Sequence, residues 1–370
     1  MTKSSRLSRG TADGAAVAAR DRNWGQRHLR RVGSSFAGAL FLVLTVSFLD
    51  APIVRAQDVL SEGLPVKART RTIDSFHIGH DDPVFGKLTF LGGLELLASD
   101  RKVGGLSGLL SLEGGHAFLA VTDNGHWVRA TVEQEDDGTP LDIKDVRFAP
   151  LLGADGKTLR ARWGHDTEAL TLAPSGLYVT AEYQNAIYHY PWPLATGRER
   201  MIGQVDLPED MASLPRNAGL ESLAAGPDGS PLEGKLIAVS ESSKSDAHDF
   251  SGFIIGPGGV ERFSIDRRDR FDATDAAFLP DGDLLLMERR FNLRDLIGLR
   301  LRRFEGGSIR PGAKLTGEVI LEAGFEHQID NMEALAVHQN TDGETILTLL
   351  SDDNRSMLQR TVFLRFRLND

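Results

Sequence analysis

Acidic residues recur at two positions of a pattern that is repeated through most of the chain. At the head of one short apolar segment in each repeat, the residues are Ser107, Glu168, Glu221, Asp275 and Glu333. At the end of the next apolar segment, the residues are Asp123 with Asn124, Glu182, Glu241, Glu288 and Asp352. Carboxylates can bind a hard divalent cation or exchange a proton with a substrate, so these two rows are the first candidates for chemistry.

The apolar segments that carry these acids are typical of buried β-strands. In the second repeat, Asp166–Leu172 and Gly176–Glu182 are joined by the turn Ala173-Pro-Ser-Gly176. Proline presets φ to about −65° and glycine adopts positive φ, so this turn favours a hairpin. Both strands are apolar on nearly every residue, which indicates strands covered on both faces. The heads of successive repeats are 61, 53, 54 and 58 residues apart, enough for a four-stranded sheet with its loops.

This self-similarity predicts an all-β fold, namely a single β-propeller of five or six four-stranded blades. Alternating segments between the repeats, such as Ala186–Tyr190 and Leu299–Phe304, indicate half-exposed outer strands. The C-terminal segment Thr361–Leu368 and the early segment Gly86–Leu91 are expected to pair in one shared blade that closes the ring. A sixth, degenerate blade would lie around residues 66–80. A β-sandwich is the alternative fold, but it does not explain five recurrences of one pattern.

In a propeller blade the two acidic positions become neighbours, because the innermost strand starts at one face of the ring and the next strand returns there. We therefore predict a funnel of carboxylates. Like charges raise one another's pKa unless a cation offsets them, and Ca²⁺ takes about six to eight oxygen ligands. The predicted ligands of such a divalent cation are Asp123, Glu168, Glu182, Glu221, Glu241, Asp275, Glu288, Glu333 and Asp352. The structural alternative is that these acids cap turns or tie neighbouring blades together.

Cationic and imidazole side chains occur close to the same strand ends. Guanidinium and ammonium groups bind phosphate and carboxylate, so four of them are predicted to bind an anionic substrate group: Arg216, Lys244, Arg289 and Arg355. The candidates for general acid–base catalysis are Glu168, Glu221, Glu333, His126 and His165. Ser107 lies in Gly-Gly-Leu-Ser-Gly-Leu, which lacks the glycine spacing of a nucleophile elbow.

The first 56 residues have the pattern of a secretory signal peptide. A basic start precedes the apolar run Phe36–Leu49, and Val54-Arg-Ala56 follows at the position of a cleavage site. The run has 14 residues, whereas a membrane-spanning helix needs about 20, so the pattern favours a signal over a membrane anchor. The sequence predicts one mature domain, residues 57–370, that is periplasmic or secreted and has no stable membrane insertion.

The predicted mature domain is strongly acidic. Residues 57–370 carry 33 Lys and Arg against 49 Asp and Glu, a formal net charge of −16. Such a surface repels nucleic acids and anionic lipids, so neither is an expected partner. The chain has no cysteine, which excludes thiol nucleophiles and thiolate metal sites. The expected partner is a small anionic or ester substrate.

Five short motifs of the chain carry a resemblance to a known family. They are Gly104–Leu109, Ala120–His126, Asp166–Leu170, Gly219–Leu223 and Asn331–Leu335. Together they resemble the bacterial phytase-like family, described by an esterase-like activity, over roughly residues 85–368. The resemblance implies an exported propeller that hydrolyses phosphate or carboxylic esters. The family's recurring acid is matched by Glu168, Glu221 and Glu333, whereas Asp275 lies in a shortened variant, Ala273-Thr-Asp-Ala-Ala277.

Three functions are consistent with these features. The first is a metal-assisted hydrolase of an ester or phosphoester, in which Glu168, Glu221 and Glu333 serve as cation ligands or base, and Arg216 and Arg289 orient the anion. The second is a lactonase, because an acidic funnel with a divalent ion suits the opening of sugar lactones. The third is a non-catalytic periplasmic binding propeller, which would retain a ligand without turnover.

Overall fold

Five sheets, arranged as the blades of a β-propeller, make up the part of the chain that the structure describes. The structure is a computed structural model, and it describes residues 55–160, 165–212, 219–241, 249–292 and 296–369. The predicted signal segment up to residue 54, together with Arg216 and Lys244, lies outside these ranges. No helix within them is long and apolar enough to cross a membrane.

The first three blades follow one another along the chain. From the innermost strand outwards, the first blade is β5 (Leu106–Leu112), β6 (Ala117–Thr122), β7 (His126–Gln134), β8 (Pro140–Pro150) and β1 (Leu64–Pro65). In the same direction, the second is β9 (Thr167–Ala173), β10 (Gly176–Ala181), β11 (Ala186–Tyr190) and β12 (Gly203–Gln204). The third is β13 (Leu220–Ala225), β14 (Leu236–Ser240), β15 (Phe250–Gly256), β16 (Gly259–Ile265) and, in parallel, β20 (Lys314–Leu315).

The last two blades complete the ring. The fourth is β17 (Asp272–Phe278), β18 (Leu284–Asn292), β19 (Leu296–Phe304) and β21 (Glu318–Gly324). The fifth is β22 (Asn331–Gln339), β23 (Thr345–Asp352), β24 (Thr361–Leu368), β4 (Leu88–Ala98) and β2 (Ala68–Ile73), with β3 (Val84–Phe85) also paired to β4. A short helix, α1 (Glu209–Ala212), and several single 3₁₀ turns lie in the connections.

The fifth blade closes the propeller by combining strands from its two ends. β4 pairs antiparallel with β24, so that Leu94 lies opposite Phe363 and Leu88 opposite Leu368. The innermost strands contact one another in a closed circuit, in the order β5, β9, β13, β17, β22 and back to β5. The structure confirms the predicted propeller and its shared closing blade, and the described residues form five blades. Residues 66–80 contribute β2 to the fifth blade instead of a sixth.

The inner strands are apolar on both faces because each blade is packed between two others. All six residues of β6 and all five of β14 are buried. Between the fifth and first blades, for example, Phe363 packs with Phe118 and Leu109. Burying one such side chain contributes about 1.5–3 kcal/mol, so these layers account for much of the driving force for folding.

Each innermost strand carries a β-bulge near its start. In β5, Leu106 pairs with Thr122 and Gly108 with Val121, which leaves Ser107 as the extra residue. The bulges of the other four innermost strands contain, in order, Glu168, Glu221, Thr274 and Glu333. A bulge interrupts the ladder and re-aims a side chain, so the propeller presents one residue per blade at the same end of its central channel.

Candidate functional site

A cavity of about 280 Å³ lies at the face of the ring where the innermost strands begin. We call it the acidic cavity. Its carboxylates come from four blades: Asp123, Asp166, Glu168, Glu182, Glu221, Glu241, Glu333 and Asp352. The other residues that line it are Ser107, Arg289, Asn331 and Asn354. The structure therefore brings together seven of the nine residues that were predicted as cation ligands.

Backbone pairing places the acid at the end of each second strand beside the head of the first. The N–H of Asp123 donates to Gly105 O, the N–H of Glu182 to Asp166 O at 2.8 Å, and the N–H of Glu241 to Gly219 O. In the fifth blade, Asp352 pairs with Asn331. The same ladder position therefore delivers a carboxylate in each of these four blades.

Asp166 is a cavity residue that the sequence comparison missed. It lies at the repeat position that Gly105 occupies in the first blade and Gly219 in the third. Gly105 has a positive φ of 76°, and a Cβ there would collide with the side chains of Asp123 and Arg355. Because two repeats carry glycine at this position, it did not stand out as an acidic one.

Two overlapping triads of carboxylates are close enough to share a cation. Asp166, Glu168 and Glu182 form the first triad, and in it one oxygen per residue lies within 4.8 Å of the others. Glu182, Glu221 and Glu241 form the second triad by the same measure. Glu182 belongs to both. Each donor is a carboxylate oxygen, which is the ligand type that Ca²⁺ and other hard cations prefer.

Burial next to like charges raises the pKa of these carboxyls. Burial, with the charges of Asp123 and Glu182, raises the pKa of Asp166 to about 7. Burial raises the pKa of Glu241 to about 7, although Arg289 opposes the shift. The pKa of Glu221 lies well above its ordinary value, first through burial and then through the charge of Glu168. A cluster in this state holds protons that it can release in exchange for a cation.

Glu182 and Glu221 belong to one triad, in which an oxygen of each lies within 4.8 Å of the other. Burial raises the pKa of Glu182, while a backbone N–H from Gly219 and the charge of Arg289 partly offset the rise. A divalent cation between these residues would supply positive charge to the crowded carboxyls.

Arginines contact three of the acids that line the acidic cavity. Arg289 Nη1 lies 2.8 Å from Glu333 Oε1, and its Nη2 lies 3.6 Å from Glu241 Oε1. Arg355 holds Asp123 with both terminal nitrogens, one of them donating to Oδ2 at 2.7 Å. Asp123, Glu241 and Glu333, all predicted as cation ligands, are therefore already paired with an arginine.

In the fourth blade, the residues at the two repeat positions differ by one from those that the sequence predicted. In its ladder, Ala273 pairs with Glu288 and Asp275 with Met287, so Thr274 occupies the bulge. Arg289 then follows at the position where the other blades carry their second acid. Asp275 and Glu288, predicted as cation ligands, are each displaced by one position from the acidic cavity. Because neighbouring residues of a strand point to opposite faces, a shift of one residue turns both side chains away from it.

Asp275 and Glu288 instead lie in the packed interior. Asp275 accepts the N–H of Leu335 in the fifth blade at 2.8 Å, so it ties two blades together, as the structural alternative anticipated. Glu288 is fully buried and accepts Arg302 Nε–H at 2.9 Å, while Arg302 also contacts Asp266. Burial raises the pKa of both carboxyls.

The two histidines that were predicted as acid or base lie outside the acidic cavity. His165 Nδ1 is 2.7 Å from the hydroxyl of Tyr188, and burial lowers the pKa of His165. His126 begins β7, the middle strand of the first blade, and burial and the positive charge of Lys102 lower its pKa to about 4.

Comparison with known proteins identifies one family and several similar structures. A family model described as phytase-like, with the esterase-like activity of phytase, matches residues 101–355. A putative gluconolactonase has 12% identity and a TM-score of 0.36 over 80% of this chain and 99% of its own. A PQQ-bound aldose sugar dehydrogenase from Streptomyces coelicolor has 12% identity and a TM-score of 0.40, with coverages of 82% and 99%. Regucalcin, a calcium-binding protein from Agrobacterium tumefaciens, has 12% identity and a TM-score of 0.37, with coverages of 82% and 96%. No match was found among curated proteins.

Proposed function

Because this chain belongs to the phytase-like family, which is described by an esterase-like activity of phytase, we propose that it is an exported, metal-assisted hydrolase of an ester or phosphoester. The observation that carries the proposal is the acidic cavity, where carboxylates from four blades converge and two triads overlap at Glu182. An all-oxygen donor set beside an arginine suits the binding of a cation together with an anionic substrate group.

The residues of the two triads fit a divalent cation of the Ca²⁺ type. Glu182, with Glu168 and Glu221, would hold it, and Asp166 and Glu241 complete the donor set. A cation bound there would polarise the bond to be cleaved and would lower the pKa of a water molecule. The raised pKa values of these carboxyls support this assignment, because they mark buried carboxyls that are crowded together with too little positive charge around them.

The chain's own residues can orient the substrate and move the proton. Arg289 lines the cavity between Glu241 and Glu333, so its guanidinium is placed to bind an anionic oxygen of the substrate. Asp352 lies outside both triads, and burial together with the charge of Asp123 raises its pKa to about 8. Its deprotonated form, whose share increases as the pH approaches 8, is the candidate to take the proton of the attacking water as the water oxygen bonds to carbon or phosphorus. The same carboxyl can return that proton to the departing alcohol oxygen.

The test is hydrolysis of 4-nitrophenyl butyrate and 4-nitrophenyl phosphate, with and without chelation. We expect turnover of at least one substrate, its loss on chelation and its recovery when Ca²⁺ is added back. Glu221→Gln removes a ligand and is expected to lower kcat about 100-fold or more. The matched control is Glu133→Gln, which removes an exposed carboxylate that pairs with Lys144 at 2.6 Å, away from the cavity.

Each alternative outcome indicates a different function for this protein. Turnover that survives both chelation and Glu221→Gln contradicts the metal-assisted mechanism. Turnover of lactones without turnover of either ester indicates a lactonase. Elemental analysis that finds a bound ion, with no turnover of any of these substrates, indicates a binding propeller.

Export is the part of the proposal that depends on the pattern of residues 1–56. Intact mass of the protein recovered from the periplasm or the medium tests it, since cleavage after Ala56 leaves a chain that begins at Gln57. In the structure Ala56 is buried, and its N–H donates to Glu113 Oε1 at 2.8 Å. The measured mass therefore also shows whether the mature protein keeps this contact. Recovery of the uncleaved chain in the cytoplasm contradicts export.

A further inference from the structure

A second cavity, of about 600 Å³, lies on the first blade beside the acidic cavity. Its apolar lining includes Phe148 and Leu159, which are buried. Four cationic side chains also line it: Arg101, Lys102, Arg160 and Arg355. We call it the basic pocket. Among the described residues that line it, none is an aspartate or a glutamate.

Four of the side chains that line the basic pocket are cationic, although the domain around it is acidic. Residues 57–370 carry a formal net charge of −16, so four cations lining a single cavity stand against the general composition. Lys102 places its ammonium 5.1 Å from the centre of the Phe148 ring, and the nearby carboxylate of Asp100 is 3.7 Å from Lys102 Nζ. An apolar surface bordered by cations suits a ligand that has an apolar body and an anionic end.

His126 also lines the basic pocket. Burial, followed by the charges of Lys102 and Arg355, lowers its pKa to about 4. The charges of Lys102 and Arg355, which disfavour the imidazolium, would favour a bound anion by the same Coulomb interaction.

The ion pair of Arg355 with Asp123 connects the basic pocket to the acidic cavity. Arg355 lines the basic pocket and holds Asp123 of the acidic cavity in a two-point ion pair. Asn124 lines the basic pocket and directly follows Asp123 in the chain. The two cavities are therefore neighbours at this ion pair.

We propose that the basic pocket binds the anionic end of an amphiphilic substrate, an apolar or aromatic body that carries a carboxylate or a phosphate. The ester bond of this substrate would then lie over the acidic cavity. Placing the ester there rests on the proposed hydrolase function, whereas binding of the anion does not. The substrate thus meets cations at one end and a cation-binding cluster of carboxylates at the other.

The test measures binding of three small ligands to the mature protein by calorimetry and by the NMR signal of the His126 ring. Phenylphosphonate and phenylacetate represent the two anions, and phenylacetamide is the neutral analogue. We expect both anions, and not the amide, to bind and to shift the His126 signal. The double variant Lys102→Gln/Arg160→Gln should weaken anion binding about tenfold or more. The matched control Lys144→Gln, an exposed lysine on the same blade and outside the pocket, should change it by less than about twofold.

The salt dependence of anion binding and the turnover of esters distinguish the remaining outcomes. Anion binding to the unmodified protein should weaken as NaCl is raised, which needs no variant and so holds even if the double variant folds poorly. Equal affinity for the neutral amide, or anion binding that persists in a folded double variant, overturns the proposal. Anion binding that behaves as expected in a protein without ester turnover contradicts the hydrolase function and leaves the basic pocket in place. Normal turnover without anion binding contradicts the pocket alone.

Discussion

The second and fourth blades carry different side chains at the same two backbone positions. In the second blade both are acids: the bulge contains Glu168, and Glu182 follows the second strand. In the fourth blade, the bulge contains the neutral Thr274, and the residue at the end of the matching ladder is Arg289. The backbone is equivalent, because in both blades the bulge shifts the register with the antiparallel partner strand by one residue. The difference therefore lies in the side chains, and of the two in the fourth blade Arg289 lines the acidic cavity.

A carboxylate must occupy the right ladder position to reach the acidic cavity. The fourth blade has its own acids one residue away, and they point into the interior, where Asp275 binds a backbone N–H and Glu288 binds Arg302. Charge is therefore distributed unevenly around the acidic cavity. Carboxylates of the second and third blades form the triads, and Arg289 supplies positive charge to Glu333 and, at 3.6 Å, to Glu241.

The largest expected effect comes from Glu182→Gln, which changes the residue common to both triads. We expect the affinity for Ca²⁺ to fall about 100-fold or more, because both groups of ligands lose the same carboxylate. Calorimetric titration of the chelator-treated protein measures this. An affinity within a few-fold of the unmodified protein would show that the triads are not the cation site.

The second prediction concerns Glu288→Gln, at the fourth-blade acid that the ladder turns inwards. Removing this fully buried partner leaves Arg302 with Asp266 alone and is expected to cost about 3 kcal/mol of the free energy of unfolding. Urea denaturation measures the loss. The Ca²⁺ affinity of the folded variant should stay within about twofold, and a large decrease would place Glu288 at the cation site after all.

The third prediction is for Arg289→Gln, which removes the positive side of the acidic cavity. Glu333 then loses its counter-ion, so we expect a cost of about 2 kcal/mol in the cation-free protein, since Arg289 is partly exposed. Ca²⁺ should bind more tightly and recover part of that stability. Thermal melting with and without Ca²⁺ measures both effects. An unchanged Ca²⁺ affinity would show that the charge of Arg289 does not influence cation binding.

The fourth prediction is a pH dependence of stability that arises on the carboxylate side. The pKa is about 7 for Asp166 and Glu241 and about 8 for Asp352 in the folded chain, against about 4 when unfolded. The folded chain therefore binds more protons between these values, so the free energy of unfolding should fall as pH rises from about 4 to about 8. Melting temperatures at pH 5 and pH 8 test this, and saturating Ca²⁺ should reduce the loss. A melting temperature that rises across this range in chelator contradicts the prediction.

The smallest effect is expected for His165→Gln. His165 contacts Tyr188 and does not line the acidic cavity, so turnover of the best ester should change by less than about twofold. Steady-state kinetics at neutral pH measures this. A decrease of tenfold or more in kcat would indicate that His165 takes part in catalysis.

Most of the fold could be predicted from the sequence because the same local pattern of two apolar strands joined by a turn occurs five times. The hairpin turns and the apolar strands each leave a local signal, the pairing of β4 with β24 follows because a ring of blades must close, and the structure confirms the propeller that they predict. The convergence of Glu168, Glu182, Glu221 and Glu241 also followed, since acids at equal ladder positions must meet at the axis of a ring.

The rest of the site could not be predicted, because it depends on register and on long-range pairing. The segment Ala273-Thr-Asp-Ala-Ala277 aligns with the other repeats through Asp275, yet the bulge falls on Thr274, and the two alternatives differ by one residue. The ion pair of Arg355 with Asp123 joins residues far apart in the chain, and no local sequence pattern predicts it.

By itself, the sequence determined the architecture and the type of chemistry, because repeated strand patterns and repeated oxygen ligands are local properties of the chain. The tertiary structure alone decided which carboxylates share a cavity, which are held by arginine, and where a cluster of cations borders them. These outcomes depend on ladder register and on burial. A shift of one residue in the register moves a side chain from the wall of the cavity to the interior between the sheets.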